Sequence, residues 1–101
     1  MKANCLKYTD LEEKQIKRVA ICGGSGSFLI KQARDVCADI FISSDFKYHE
    51  FFDSSEMMIV DIGHYESEQF TKELIHDILS KKFSNFAFLL SEINTNPINY
   101  L

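Results

Sequence analysis

Short apolar runs rich in β-branched residues alternate along this chain with segments of helical periodicity. Three of the runs, at residues 17–22, 39–43 and 57–62, read "KRVAIC", "DIFIS" and "MMIVDI". Strands that alternate with helices pair in parallel through right-handed crossovers, and such strands are apolar throughout because both faces of the sheet are covered. The pattern therefore predicts an α/β fold, a three-layer sandwich with a mainly parallel sheet, in one domain of 101 residues.

The remaining elements are predicted from shorter or weaker patterns. They are an antiparallel edge strand "CLKYT" (5–9), a charged loop "DLEEKQI" (10–16), helices over 27–38 and 65–82, a short helix or turn "FKYHEFFDSSE" (46–56), and a last strand "FAFLL" (86–90).

The charge pattern excludes two classes of partner. The net charge is −4 and no run of Lys or Arg is longer than "KK", so the chain lacks the basic face that nucleic acid or an anionic membrane surface requires. The longest apolar runs, such as "FAFLL", are too short to cross a membrane. The sequence "MKANCLKYTD" at the start lacks the apolar core of a signal peptide, so the cytoplasm is the expected location.

Polar and glycine residues follow each predicted core strand. "GGSGS" follows the first, Asp45 and His49 follow the second, "GHYESE" follows the third, and "SEINTN" follows the predicted last strand. The carboxyl ends of parallel strands meet at one edge of the sheet, where α/β proteins bind ligands. These segments are therefore expected to lie together and to carry the function.

His64 and Glu68 form the spacing most suggestive of chemistry. If a helix begins near Tyr65, both side chains lie on one face, with Cβ atoms roughly 5–6 Å apart. An imidazole nitrogen and a carboxylate oxygen together suit divalent Zn, Mn or Fe. The same residues also fit a helix N-terminus whose acidic side chains interact with the helix dipole, without any metal.

The other polar groups at this edge also have two interpretations each. Asp45 fits an N-cap for the segment at 46–56, and His49 fits a half-buried structural histidine. The loop "CGGSGS" resembles a phosphate-binding turn at a helix N-terminus, but neither Gly-Lys-Ser/Thr nor GxGxxG is present. Its sequence favours a tight strand-to-helix turn.

Four motifs in order resemble one known family. "RVAICGGSGSFLIKQA", "ADIFISSDFKYHEFFD", "IVDIGHYESE" and "NTNPINYL" are similar to the C-terminal half of the Nif-three-like dinuclear metal-binding proteins, often named GTP cyclohydrolase 1 type 2 homologs. The resemblance extends from about Lys17 to Leu101. One departure is Ser43-Ser44-Asp45, where the family tends to show Thr-Gly-Asp.

The resemblance implies two similar α/β lobes with two metal ions in the cleft between them, assembled into ring-like hexamers. It implies that His64 and Glu68, from the GHYxxE-type motif, are the metal ligands of the C-terminal lobe. A His-His pair and an Asp belong to the N-terminal lobe, and this sequence has no His-His pair. Residues 1–101 are therefore expected to be the C-terminal lobe alone, and the missing N-terminal lobe is its expected partner.

Two classes of function are consistent with this resemblance. The first is a metal-dependent hydrolase acting on a nucleotide such as GTP, in which two divalent ions (Zn, Fe or Mn) activate water and Glu66 or His49 transfers a proton. This chain alone is then expected to be inactive. The alternative is a non-catalytic metal-binding carrier, regulator or protein-interaction module, since a fold does not fix a function.

Absence of the N-terminal lobe is also expected to expose apolar surface. Phe46, Tyr48 and Tyr65 near the edge are predicted to be exposed. Large exposed apolar patches drive association, and a two-fold dimer is the commonest way to cover one. The chain is therefore expected to form homo-oligomers through residues 45–52 or 63–70.

Overall fold

A four-stranded, mainly parallel sheet forms the centre of the fold. The computed structural model describes residues 3, 5–10, 15–54 and 56–101, so most of the predicted charged loop lies outside the described residues. The strands are β1 (Lys7–Tyr8), β2 (Val19–Ser25), β3 (Ile40–Ser44) and β4 (Met58–Asp61), in the spatial order β1-β4-β3-β2. Strands β2, β3 and β4 are parallel, and β1 pairs antiparallel with β4. The predicted α/β class and the antiparallel edge strand are confirmed.

The helices are shorter than the apolar periodicity predicts. Helix α1 (Ile30–Asp35) follows a 3-10 turn at Ser27–Leu29, and a 3-10 helix covers Tyr48–Ser54. The predicted helix over 65–82 is two helices, α2 (His64–Glu68) and α3 (Thr71–Lys82). None of the helices in the described part of the chain combines the length and the apolar composition that a membrane span requires.

The core lies between one face of the sheet and the segments α1 and 48–54. Strand residues alternate in direction, so Phe41 and Ile59 point to this face and are 2% and 0% exposed. Ile30 and Ala33 of α1 pack on them. Phe46 also belongs to this core, with edge-to-face contacts to the rings of Phe41 and Phe51.

The predicted exposure of Phe46 is therefore wrong, because this ring turns inward from its loop to fill the core and is 5% exposed. Tyr48 is exposed, as predicted, and Tyr65 is half-buried.

The predicted last strand at 86–90 is absent. A strand exists only when its backbone pairs with a neighbouring strand, and no such pairing forms between this segment and the described residues. Instead the segment runs beside α3, where the ammonium of Lys72 donates to the carbonyl of Ser91. Phe86 and Leu89 remain 69% and 94% exposed. The continuous apolar run predicted a strand, but it does not reveal whether a neighbouring strand is present to pair with it.

Helix α3 carries an apolar face that the described chain leaves uncovered. It has no buried residue, and Leu74, Ile75 and Ile78 are each more than half exposed. The radius of gyration is 16.6 Å, whereas a compact domain of this length has a value of about 13 Å. The stabilising burial is therefore concentrated around α1, β3 and β4.

Two matched substitutions test where this stability resides. Ile59→Val removes one methylene from the centre of the core and should lower the free energy of unfolding by about 1 kcal/mol. Ile78→Val makes the same chemical change on α3, where the side chain is 55% exposed, and should have almost no effect. Urea denaturation measures both. Equal losses would contradict a core confined to the α1 side of the sheet.

Candidate functional site

The carboxyl ends of the three parallel strands meet at one edge, as the sequence predicts. The backbone N–H of Gly24, at the end of β2, donates to the hydroxyl of Ser67 in α2 at 2.7 Å. His64, which follows β4, contacts Asp45, which follows β3. Residues 23–27, 45–49 and 63–68 thus surround one site, and their predicted convergence is confirmed.

His64 lies between two carboxylates at this edge. Its Nδ1 is 2.5 Å from Oδ2 of Asp45, and its Nε2 is 3.3 Å from Oε2 of Glu68. The side chains of all three residues are about half exposed. Helix α2 begins at His64, so the spacing of four residues places His64 and Glu68 on the same face.

Asp61 holds the two loops that carry His64 and Asp45. Its carboxylate is 2% exposed and accepts hydrogen bonds from the backbone N–H groups of Gly63 (3.0 Å) and Phe46 (3.3 Å). Each donor is the chain neighbour of a site residue. The ammonium of Lys7 completes the set at 2.8 Å.

Two glycines allow the chain to approach these side chains closely. Gly24 has φ +67°, and a Cβ there would clash with the carboxylate of Glu68 and contact the ring of His64. Gly63 has φ +86°, and a Cβ there would clash with the carboxylate of Glu66. Other residues would add strain at these angles as well as the clash. The glycines therefore leave room for both carboxylates.

Glu66 lies on the opposite side of α2 from His64, because two residues along a helix turn it by about 200°. It is 1% exposed, and neither carboxylate oxygen has a hydrogen-bond partner within 3.5 Å among the described residues. The hydroxyl of Tyr100 lies near it, and burial first and Glu66 second raise the pKa of Tyr100.

His49 is exposed on the 3-10 helix and makes no hydrogen bond to His64 or Glu68 among the residues described. The predicted roles of Glu66 and His49 in proton transfer stay predictions.

The segment "SEINTN" (91–96) also reaches this edge, although no strand precedes it. Ile93 and Thr95 line a surface groove together with Tyr65 and Glu68. Sequence reasoning missed two residues that build the site, Asp61 and Ser67. The sequence did indicate Asp61, because an acid directly after the apolar run "MMIV" is expected to be buried and therefore to require hydrogen-bond donors.

The donor set of His64 and Glu68 suits a divalent transition metal or zinc. The two side chains belong to one helical turn, and the absence of a Cβ at Gly24 leaves space beside them. Within the described residues no group of three or more His, Cys, Asp or Glu side chains is arranged to hold a metal ion. The described residues thus present two side chains of the kind that bind such ions, but no complete set.

This fold and site define a class of protein, an α/β lobe that carries a histidine and a carboxylate at the edge where its parallel strands end. The sequence model of the Duf34/NIF3 (NGG1p interacting factor 3) family matches residues 1–97. The chain belongs to this family.

Relatives and solved structures agree with this assignment. The chain is 38% identical over 98 residues to a Campylobacter jejuni protein named "GTP cyclohydrolase 1 type 2 homolog", covering 94% of this chain and 38% of the relative. A Staphylococcus epidermidis protein of the same name is 39% identical over 101 residues, covering 94% of this chain and 27% of the relative. The chain therefore spans between a quarter and two fifths of these relatives.

The structure is also similar to the crystal structure of Staphylococcus aureus protein SA1388, with a TM-score of 0.78 and 30% identity over 98% of this chain and 34% of that one. A Bacillus cereus protein related to NIF3 has the same fold, with a TM-score of 0.75 and 24% identity over 98% of this chain and 29% of the other. The predicted family and the α/β fold are confirmed.

The contacts of His64 predict a small pH dependence of stability in the metal-free chain. The hydrogen bond to Asp45 is the largest cause that raises the pKa of His64 above its ordinary value of about 6.5, and Glu68 adds to it against partial desolvation. A raised pKa in the folded state stabilises the fold fully below pH 6.5 and loses this effect as the pH rises through the raised value.

His64→Gln should remove this contribution. Because the groups are half exposed, we expect the wild-type chain to lose about 0.2–1 kcal/mol more than the variant between about pH 5 and about pH 9. Urea denaturation in the presence of EDTA at the two pH values measures the difference. Identical pH profiles for the two proteins would contradict the raised pKa.

Proposed function

We propose that this chain supplies His64 and Glu68 as two ligands of a divalent metal site. The observation that carries the proposal is the pair itself, with Nε2 of His64 and Oε2 of Glu68 3.3 Å apart on one helical turn. Both are half exposed, so an ion could reach them from solvent. A buried structural pair would instead be closed to solvent and satisfied within the chain.

The remaining ligands come, in this proposal, from polypeptide outside these 101 residues. Catalytic and structural zinc sites use three or four protein ligands, and the chain spans only 38% and 27% of two of its relatives. A partner lobe that adds ligands accounts for both facts. We further propose that the complete site holds two divalent ions, Zn, Fe or Mn. The expected location of the protein is the cytoplasm.

For the activity we propose a metal-dependent hydrolase acting on a nucleotide such as GTP. Support comes from the name of the relatives, "GTP cyclohydrolase 1 type 2 homolog". A divalent ion supplies Lewis-acid activation of water or of a phosphoryl oxygen. The chain's own residues would hold that ion through His64 and Glu68. The 101-residue chain alone should not turn over GTP.

A non-catalytic metal-binding role is the second candidate, and one observation favours it. A general base must lie within hydrogen-bond reach of the group it deprotonates. Glu66 is buried on the far side of α2, and His49 is exposed without a hydrogen bond to the pair among the described residues. GTP turnover by the intact protein in Mn or Zn buffer would favour the hydrolase. A metal retained through purification, without product from any nucleotide, would favour the second role.

Metal binding by the isolated chain should be weak and should depend on this pair. We expect the chain to purify largely metal-free, because two ligands are too few for a tight site. Titration with Zn²⁺ should shift the imidazole NMR signals of His64, and His64→Gln or Glu68→Gln should abolish saturable binding. His76→Gln is the matched control, since His76 contacts Asp77 on α3 but has no part in the proposed site.

Zn²⁺ binding that survives both substitutions, or that His76→Gln removes, would contradict the proposal. A stoichiometric ion held by His64 and Glu68 within one chain would contradict the need for outside ligands.

We also propose that the isolated chain self-associates through residues 45–52 or 63–70. Tyr48 and Phe52 stack edge to face there and are 81% and 72% exposed, and exposed apolar patches drive association. Light scattering at tens of micromolar should show an oligomer that Phe52→Ser weakens more than Ile78→Ser does. A monomer of 11.7 kDa would contradict this proposal.

A further inference from the structure

The imidazole of His64 makes two different contacts at its two nitrogens. Nδ1 is 2.5 Å from the carboxylate of Asp45, and Nε2 faces Glu68. Both carboxylates only accept hydrogen bonds, so the imidazolium donates at both nitrogens, and in the neutral ring the shorter contact, 2.5 Å against 3.3 Å, assigns the hydrogen to Nδ1. In the neutral imidazole the lone pair is then on Nε2, on the side of the other proposed ligand.

We propose that Asp45 is a positioning residue that fixes His64 in the Nδ1–H tautomer and presents its Nε2 lone pair for metal coordination. The inference rests on the proposed function for its metal-binding part only. Ligating histidines commonly donate their second nitrogen to a carboxylate, which fixes both the tautomer and the ring orientation. Without such a partner, a neutral histidine favours the opposite tautomer, with the hydrogen on Nε2.

The backbone of Asp45 supports this assignment independently. Its φ is +61°, a left-handed conformation that is less favourable than for glycine, although Asp and Asn adopt it more readily than most residues. Its neighbours Ser44 and Phe46 are buried, and the N–H of Phe46 is bonded to Asp61, so the loop holds this conformation in place. Glycine would fit without strain, yet the chain has an acid whose carboxylate reaches His64.

The structure also bears on the N-cap interpretation of Asp45. Among the described residues its side chain is hydrogen-bonded to His64 and to no backbone amide of the 3-10 helix 48–54. Instead, the backbone N–H of Lys47 donates a hydrogen bond to the carboxylate of Glu50, at 2.7 Å. The local capping interaction is thus made by another residue, and the carboxylate of Asp45 serves the histidine.

Asp45→Gly separates positioning from a structural role. Glycine relieves the backbone strain and removes the carboxylate, so at about pH 9, where the contribution of His64 to stability is lost, the melting temperature should stay equal or rise. A residue needed for the fold would lower it. The Zn²⁺ affinity should fall 10–100-fold, the range typical for loss of such a partner.

The tautomer provides a readout that does not involve metal. In the metal-free chain, above the pKa of His64, the ¹⁵N shifts should show hydrogen on Nδ1 in the wild type and mainly on Nε2 in Asp45→Gly. Cys37→Gly is the matched control, because Cys37 is an exposed residue at φ +53°. It relieves comparable strain and should leave both the tautomer and the Zn²⁺ affinity unchanged.

The outcomes distinguish this inference from the proposed function. Hydrogen on Nε2 in the wild type, or Asp45→Gly with wild-type tautomer and affinity, would overturn the role of Asp45 even if His64→Gln abolishes Zn²⁺ binding. Absence of any Zn²⁺ binding that depends on His64 would overturn the metal site, and with it the metal-binding part of the inference. If Asp45→Gly fails to fold, the ¹⁵N shifts of the wild type decide: hydrogen on Nδ1 supports the role of Asp45, and hydrogen on Nε2 overturns it.

Discussion

The buried carboxylate of Asp61 is the interaction on which the arrangement of this edge depends. A buried charge is costly unless it is fully paired, and this one receives two backbone N–H groups and the ammonium of Lys7. These donors come from three parts of the chain: the edge strand, the loop after β3 and the loop after β4. Replacing this carboxylate would leave all three without their acceptor. The loops that carry Asp45 and His64 therefore keep their separation because Asp61 holds the residue next to each.

The parallel sheet and its functional edge could be predicted because each depends on local patterns. Apolar runs at 17–22, 39–43 and 57–62 needed no knowledge of distant residues to be recognised as buried strands. Once they were parallel, chain direction alone placed Gly24, Asp45 and His64 at the same edge. The spacing of His64 and Glu68 likewise follows from helix geometry.

The rest required three-dimensional information. The segment at 86–90 has the composition of a strand, but strand formation needs a partner backbone, which composition does not reveal. The apolar periodicity of 65–82 continues across the break after Glu68, so the division into two helices was not visible. Phe46 follows an exposed acid in sequence but turns into the core. The contact of Asp45 with His64 depends on a loop held at positive φ, which no local pattern shows.

Three of the contacts around His64 and Asp45 span little sequence, although the hydrogen bond between Gly24 and Ser67 joins residues 43 apart. His64 and Asp45 are 19 residues apart, Phe46 and Asp61 are 15 apart, and Gly63 is two residues from Asp61. Closing such short loops costs little entropy. In the proposed metal site, the conformational entropy of ordering His64 would therefore be lost mainly while the chain folds, before an ion binds. The affinity of the proposed metal site would then depend mainly on how the other ligands are brought to it.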